Sequence, residues 1–283
     1  MIHRLRDWVT EPVVRGLDPE GIDITLAHRN VLLKKAMLRK LFEGFYRNCR
    51  DMDLRYFGNC PGARIEVGSG SSFMKEVLPD VLTSDVRQLL FVDLVARAEQ
   101  LPFAESSLRA VYAINVFHHL PDPREFFREL LRVLHPGGGA VLIEPYYGPV
   151  ARFVFKHIHA VEGFDMETLG WNAPDNSTLS TNTNQALSYI VFTRDREILK
   201  REIPGLEVVS DRPHTQLSYV LSGGVNFRQL VPNSLVSAGP HGRSLVEATG
   251  PRDCPVAHYC AAENEVVTLS RRTREVYIVR GKE

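Results

Sequence analysis

The sequence predicts an α/β fold: a doubly wound, mostly parallel sheet with a helical N-terminal extension and a further region at the C-terminal end. Three observations predict it. Short apolar runs recur at Arg64 to Val67, Val81 to Ser84, Ala110 to Ile114 and Ala140 to Ile143. Helical or turn-forming stretches separate them, an alternation that marks parallel strands joined by crossovers. A glycine turn at Gly68 and Gly70 directly follows the first run. At 283 residues the chain can bury a sizeable core. Shifts in pattern divide it into residues 1–58, the helical extension; 59–149, the body of the sheet; and 150–283, which returns the final strands.

In chain order, the first element is a helix on which Leu33, Met37, Leu38, Leu41, Phe42 and Phe45 form one apolar stripe. Its other face carries Lys34, Lys35, Arg39, Lys40 and Arg47, a basic amphipathic form that lies on a membrane surface or, more plainly, caps a domain with a solvated face. Between the third and fourth apolar runs stands a second helix. Asp122 is placed to cap it, Pro123 suits its first turn, and Glu125 has the capping-box spacing. Phe126, Phe127, Leu130, Leu131 and Leu134 make its buried face, and Pro136 with Gly137 to Gly139 ends it. Beyond Pro149, a Ser/Thr/Asn-rich stretch from Asn172 to Asn184 reads as a loop or lid. Leu206 to Ser210 and Glu275 to Val279 read as the last strands.

Acidic and basic residues balance at 34 each, so no overall field attracts a polyanion, and no basic stripe interleaves with aromatics; nucleic acid is disfavoured as a partner. The charged first ten residues lack the apolar stretch of a signal peptide, and no run of about eighteen apolar residues occurs, which predicts a soluble, cytoplasmic protein without a transmembrane segment. Cys49, Cys60, Cys254 and Cys260 fit no zinc spacing. Cys254 and Cys260 flank His258, but two sulfurs and one imidazole fall short of a tetrahedral site, so no metal is expected.

The stretch richest in chemistry runs Ile65-Glu66-Val67-Gly68-Ser69-Gly70-Ser71-Ser72-Phe73. Glycine there allows positive φ and close backbone approach, and a following helix start offers N–H groups. That much suits either a dinucleotide or S-adenosylmethionine. Two residues separate them. The dinucleotide fingerprint needs a third glycine where Phe73 stands. Glu66, just before the turn, repels a pyrophosphate but suits a ligand bearing an ammonium and a sulfonium. Asp85 follows the second strand where open α/β folds place a carboxylate to accept ribose hydroxyls; its plainer reading is a turn aspartate in Ser84-Asp85-Val86.

Five segments in order resemble the class I S-adenosylmethionine-dependent methyltransferases, Rossmann-like in fold, especially the group that includes the small-molecule quinone-biosynthesis C-methyltransferases. They are Glu66-Val67-Gly68-Ser69-Gly70, Ala98-Glu99-Gln100-Leu101-Pro102-Phe103, Asn115-Val116-Phe117-His118-His119-Leu120-Pro121-Asp122-Pro123, Leu134-His135-Pro136-Gly137-Gly138-Gly139 and Ile143-Glu144-Pro145. The resemblance covers about Ala63 to Pro145. It implies that Glu66, Gly68, Ser69 and Gly70 hold the methionine part of S-adenosyl-L-methionine, that Asp85 holds the ribose, that Arg97 and Ala98 lie against the adenine, and that Asn115 sits beside the cofactor. It makes residues 150–283 the substrate or lid region. Three residues depart from the family pattern. Arg97 stands for an acidic residue and cannot accept a hydrogen bond, though its plane can stack on a purine. Ser72 replaces a frequent third glycine, and Arg109 replaces an aspartate before the fourth strand.

Methyl transfer from a sulfonium is an in-line displacement, so orientation, with effective molarities of roughly 10⁵ to 10⁸ M, supplies more than a general base at about 10² to 10⁴. Candidate bases at the strand ends are His118 and His119 after the Ala110 to Ile114 run and Glu144 and Tyr146 after the Ala140 to Ile143 run. The expected acceptor is a small molecule, apolar or lipid-linked if the aromatics Phe153, Phe155, Phe164 and Trp171 line its site rather than the core. The alternative function, motivated by Ser72 and Arg97, is a non-catalytic binding or scaffold subunit that keeps the fold. An NAD-dependent oxidoreductase is disfavoured by Phe73.

Overall fold

The computed structural model describes residues 8–145, 163–173, 184–214, 217–237 and 274–281. Seven strands form one sheet: β1 (Ala63–Val67), β2 (Val81–Asp85), β3 (Leu94–Val95), β4 (Leu108–Ile114), β5 (Leu134–Pro145), β6 (Leu206–His214) and β7 (Arg274–Gly281). Their order is β3-β2-β1-β4-β5-β7-β6. The first five are parallel, while β7 runs antiparallel to both β5 and β6. This is the Rossmann-like α/β architecture expected, with the two late strands inserted as a hairpin-like edge.

The parallel strands are apolar on both faces because helices cover both. On one face Ile65, Val67, Val111, Ala113 and Leu142 pack beneath Phe126, Phe127 and Leu130 of helix α4 (Pro123–Val133). On the other, Tyr112, Ile114, Val141 and Ile143 meet Leu38, Phe45, Tyr46 and Cys49 of helix α2 (Ala36–Tyr56). Each such large apolar side chain contributes about 1.5–3 kcal/mol by leaving water. Helix α1 (Ile22–Lys34) precedes α2, and the short α3 (Met74–Val77) follows β1. Asp122 caps α4 by accepting from the Arg124 amide at 2.9 Å.

Two sequence expectations are corrected. Lys35, assigned to a solvated basic face, is buried: its ammonium pairs with Glu11 at 3.1 Å and donates to the Gly224 and Phe227 carbonyls. Burial pulls its pKa below the usual lysine range. Gly137 to Gly139 do not merely end α4; they lie within β5, whose first residue, Leu134, directly follows the helix. A Cβ at Gly138 would stand 2.6 Å from the Arg109 carbonyl oxygen, so the strand enters the sheet only with glycine there.

Arg109 explains its own departure from the family pattern. It is buried in β4, and its Nε donates to Asp53 of α2 at 2.6 Å, while its Nη2 donates to the Gly58 carbonyl at 2.7 Å. Arg64 Nε and the Tyr112 hydroxyl complete the shell of the fully buried Asp53 carboxylate at 2.6 and 2.8 Å. The cluster ties α2 to β1 and β4. Among the described residues no helix is long and apolar enough to cross a membrane, and no group of three potential ligands suits a metal ion.

Candidate functional site at the ends of the parallel strands

Sheet order reverses between β1, which leads outward to β2, and β4, which leads the other way. Ligands of open α/β sheets bind at that switch, outside the carboxyl ends of the strands. The two loops that leave β1 and β4 touch. Gly68 has φ +59°, and a Cβ there would lie 2.6 and 2.9 Å from the two Val116 methyl groups. Glycine is therefore required twice over, by conformation and by space.

Glu66, the penultimate residue of β1, is buried on the α2 side. Its Oε1 accepts from Ser72 Oγ at 2.9 Å, and Ser72 Oγ in turn lies 3.0 Å from the Tyr46 hydroxyl. Oε2 is buried with no hydrogen-bond partner among the described residues. Burial, with only partial relief from the serine hydroxyls, pushes the carboxyl pKa up to about 7. A buried acceptor left open is costly and calls for a donor, above all a cationic one.

The glycine loop itself is tied down. The Ser69 amide donates to the Ser84 carbonyl at 2.8 Å, the Gly70 amide to Asp85 Oδ2 at 2.8 Å, the Phe73 amide to Tyr46 Oη at 3.2 Å and the Met74 amide to Ser72 Oγ at 3.0 Å. The expectation that the start of α3 presents free N–H groups is thus corrected for the Phe73 and Met74 amides, which are engaged inside the protein. Asp85 is nearly inaccessible, with Oδ1 accepting from the Arg87 amide at 2.9 Å and from Arg87 Nε at 3.0 Å.

Past β4, Asn115 holds φ +57°, one of two non-glycine residues with positive φ among those described. Asparagine tolerates this region better than most residues, and such strain concentrates at functional positions. Glu144, wholly buried in β5, anchors the adjoining turn: Oε1 accepts from the Val116 and Phe117 amides at 2.9 Å each, and Oε2 lies 2.6 Å from His118 Nδ1. The His119 ring sits 4.3 Å from that of His118, centroid to centroid. Both oxygens of Glu144 are thus engaged within the protein. Tyr146 lies outside the described residues, as do Phe153, Phe155, His258, Cys254 and Cys260.

Beyond β3, Ala98 is buried and Arg97 is half-exposed, with its guanidinium 3.3 Å from Glu99. The Leu101-Pro102-Phe103 segment is held from α4: Glu129 accepts from the Leu101 amide at 2.6 Å, and Arg132 donates to the Leu101 and Phe103 carbonyls at 3.0 and 2.9 Å. Trp171 belongs to the core, its indole donating to Asp195 at 2.9 Å under the Arg124 guanidinium. Residues 66–142 match the family described as methyltransferase domain. This stretch is similar to that family.

Over 47 residues this chain is 47% identical to an uncharacterized methyltransferase of Mycobacterium sp. (strain KMS), covering 17% of this chain and 19% of that protein. Over 78 residues it is 36% identical to methyltransferase GfsG of Streptomyces halstedii, covering 27% of this chain and 28% of that one. The chain thus spans less than a third of the length of these curated relatives. Among solved structures, YcgJ protein from Bacillus subtilis aligns with a TM-score of 0.44 at 15% identity, over 84% of this chain and 99% of that one.

Three residues at the strand ends, Tyr46, Arg29 and Arg87, carry no mark of their own in the sequence, and Val116 stands there only as part of a motif. Tyr46 and Arg29 reach the loop from the N-terminal helices, Arg29 donating to the Ser72 carbonyl and to Glu76 at 2.8 Å while lying 4.2 Å over the Phe91 ring. Arg87 pairs with Asp85, and Val116 sets the floor under Gly68. Tyr46 was legible as the neighbour of Phe45 on the apolar stripe. The others make contacts that depend on tertiary approach, which leaves no periodic trace.

Proposed function

We propose that the protein is an S-adenosylmethionine-dependent methyltransferase that acts on a small-molecule acceptor. The observation that carries this reading is the buried Oε2 of Glu66 beside the Gly68 turn, which has no hydrogen-bond partner among the described residues. A carboxylate with one open acceptor suits a ligand with a fixed positive charge and opposes a pyrophosphate. Glu66, Gly68, Ser69 and Gly70 would hold the aminoacyl portion, Asp85 the ribose, Arg97 and Ala98 the adenine, and Asn115 the cofactor's flank.

When bound, S-adenosylmethionine supplies an electrophilic methyl group on a sulfonium. The chain's part is to orient the acceptor and to receive its proton where the nucleophile carries one. For the latter, His118 and His119 stand at the end of β4, and Glu144 is the positioning residue that fixes the His118 ring. A carboxylate on Nδ1 stabilises the imidazolium formed when the other ring nitrogen takes a proton. The rigid turn from Val116 to Phe117, hung on the same carboxylate, serves orientation.

The scaffold-subunit alternative drew on Ser72 and Arg97. Ser72 loses that force, because it is the residue that hydrogen-bonds Glu66. Calorimetric titration with S-adenosylmethionine and S-adenosylhomocysteine tests the reading: saturable binding is expected, and none at high micromolar ligand would sink it.

A further inference from the structure

Asp85 can accept about four hydrogen bonds, two on each oxygen. Three are taken. Oδ1 holds both the Arg87 amide and Arg87 Nε, and Oδ2 holds the Gly70 amide. A vicinal diol needs one acceptor on each oxygen, and Oδ1 is full. The guanidinium is also anchored at its far side, where Nη1 donates to Thr25 Oγ1 of α1 at 2.7 Å. Thr25 and Arg29 lie one helical turn apart, and Arg29 grips the β1 loop through the Ser72 carbonyl and Glu76. Helix α1 is therefore fastened across both strand-end loops by two arginines, one from each side of the contact.

We propose that Arg87 is an internal competitor for the ribose site, so that a ligand diol engages Asp85 only when the Arg87 side chain leaves, and that this departure releases α1 from the β2 loop. The inference rests on the assignment of Asp85 to the ribose of an S-adenosyl ligand. The Arg87 amide and the Gly70 amide remain on Asp85 after the exchange, so the carboxylate keeps its orientation while one acceptor site opens. Arg87 is the movable member: its side chain is partly exposed, whereas Asp85 is buried.

The test is calorimetric titration of the whole chain with S-adenosylhomocysteine, comparing wild type with Arg87→Met and Thr25→Val. Apparent affinity scales with the fraction of protein whose site is open, and a roughly tenfold tighter dissociation constant is expected in Arg87→Met. Thr25→Val, which unfastens the guanidinium, moves in the same direction by a smaller factor. The 2′,3′-dideoxy analogue of the ligand gains nothing from Arg87→Met. Hydrogen exchange in residues 22–34 rises when S-adenosylhomocysteine binds wild type and is already raised in Arg87→Met. Binding in Arg87→Met equal to or weaker than wild type overturns the proposal while leaving the ribose assignment intact, as does an equal gain for the dideoxy analogue. Saturable binding in neither protein overturns both the proposal and the function on which it rests.

Discussion

Ser72 hydrogen-bonds the carboxyl group of Glu66 at 2.9 Å, six positions along the chain and on the far side of the glycine turn. The hydroxyl that replaces a frequent family glycine thereby closes the turn on the residue that starts it. It occupies one carboxyl oxygen and leaves the other, Oε2, as a buried acceptor.

The first consequence is a pH dependence. Burial raises the folded-state pKa of Glu66 from 4.5 to about 7. Between those values the folded state holds a proton that the unfolded state has lost, so this group lowers stability as pH rises and the effect levels off above the folded value. The total is on the order of 3 kcal/mol. Glu66→Gln is expected to match wild type in thermal stability near pH 4, to exceed it increasingly up to pH 8, and to bind S-adenosylmethionine more weakly. Melting curves across that range check the first part; a constant difference at all pH values refutes it.

Gly68→Val is expected to abolish cofactor binding, because the added carbon meets the Val116 methyl groups in a conformation that disfavours any side chain. Gly68→Ala with Val116→Ala relieves the steric part only. Its binding should recover part of the way, and full recovery in calorimetry would show that the backbone conformation is immaterial.

Asp85→Ala removes the acceptor for the Gly70 amide and, with it, the acceptor proposed for the ribose. The expected loss is about 1.5–3 kcal/mol in binding S-adenosylhomocysteine, the range for hydrogen bonds to a charged acceptor. Unchanged affinity would displace the ribose site from the end of β2.

Glu144→Gln keeps an acceptor for the Val116 and Phe117 amides but alters the partner of His118. A fall in kcat of about tenfold or more, within the scale of general-base effects, with cofactor affinity retained and a shifted pH profile, is expected once an acceptor is found. Glu144→Ala is expected to destabilise the fold as well, since it strands two amide donors, at about 1–3 kcal/mol for each if buried. Equal stability of the two variants would remove the anchoring role.

Arg109→Met breaks the Asp53 cluster and leaves a buried carboxylate short of one partner. A loss of about 3–5 kcal/mol in unfolding free energy is expected, with cofactor affinity per folded molecule unchanged. Chemical denaturation and calorimetry separate the two.

The sequence by itself determined the parallel core and its motifs. The runs at β1, β2, β4 and β5 were visible because strands buried on both faces are apolar without interruption, and α4 because its cap and periodic face are local. The edge strand β3, only two residues long, offered no run to read, and α1 lacked a marked apolar stripe. Glu66, Gly68 and Asp85 were singled out by position next to the turn and strand ends, where the peptide geometry itself sets the neighbourhood. What each of them touches was decided only by tertiary structure. Arg87 on Asp85 and Thr25, Val116 under Gly68, Ser72 and Tyr46 around Glu66, and the Arg109–Asp53 pair bring together groups from separate elements. Electrostatic and steric interactions of that kind depend on distance through space, and distance along the chain carries no record of them.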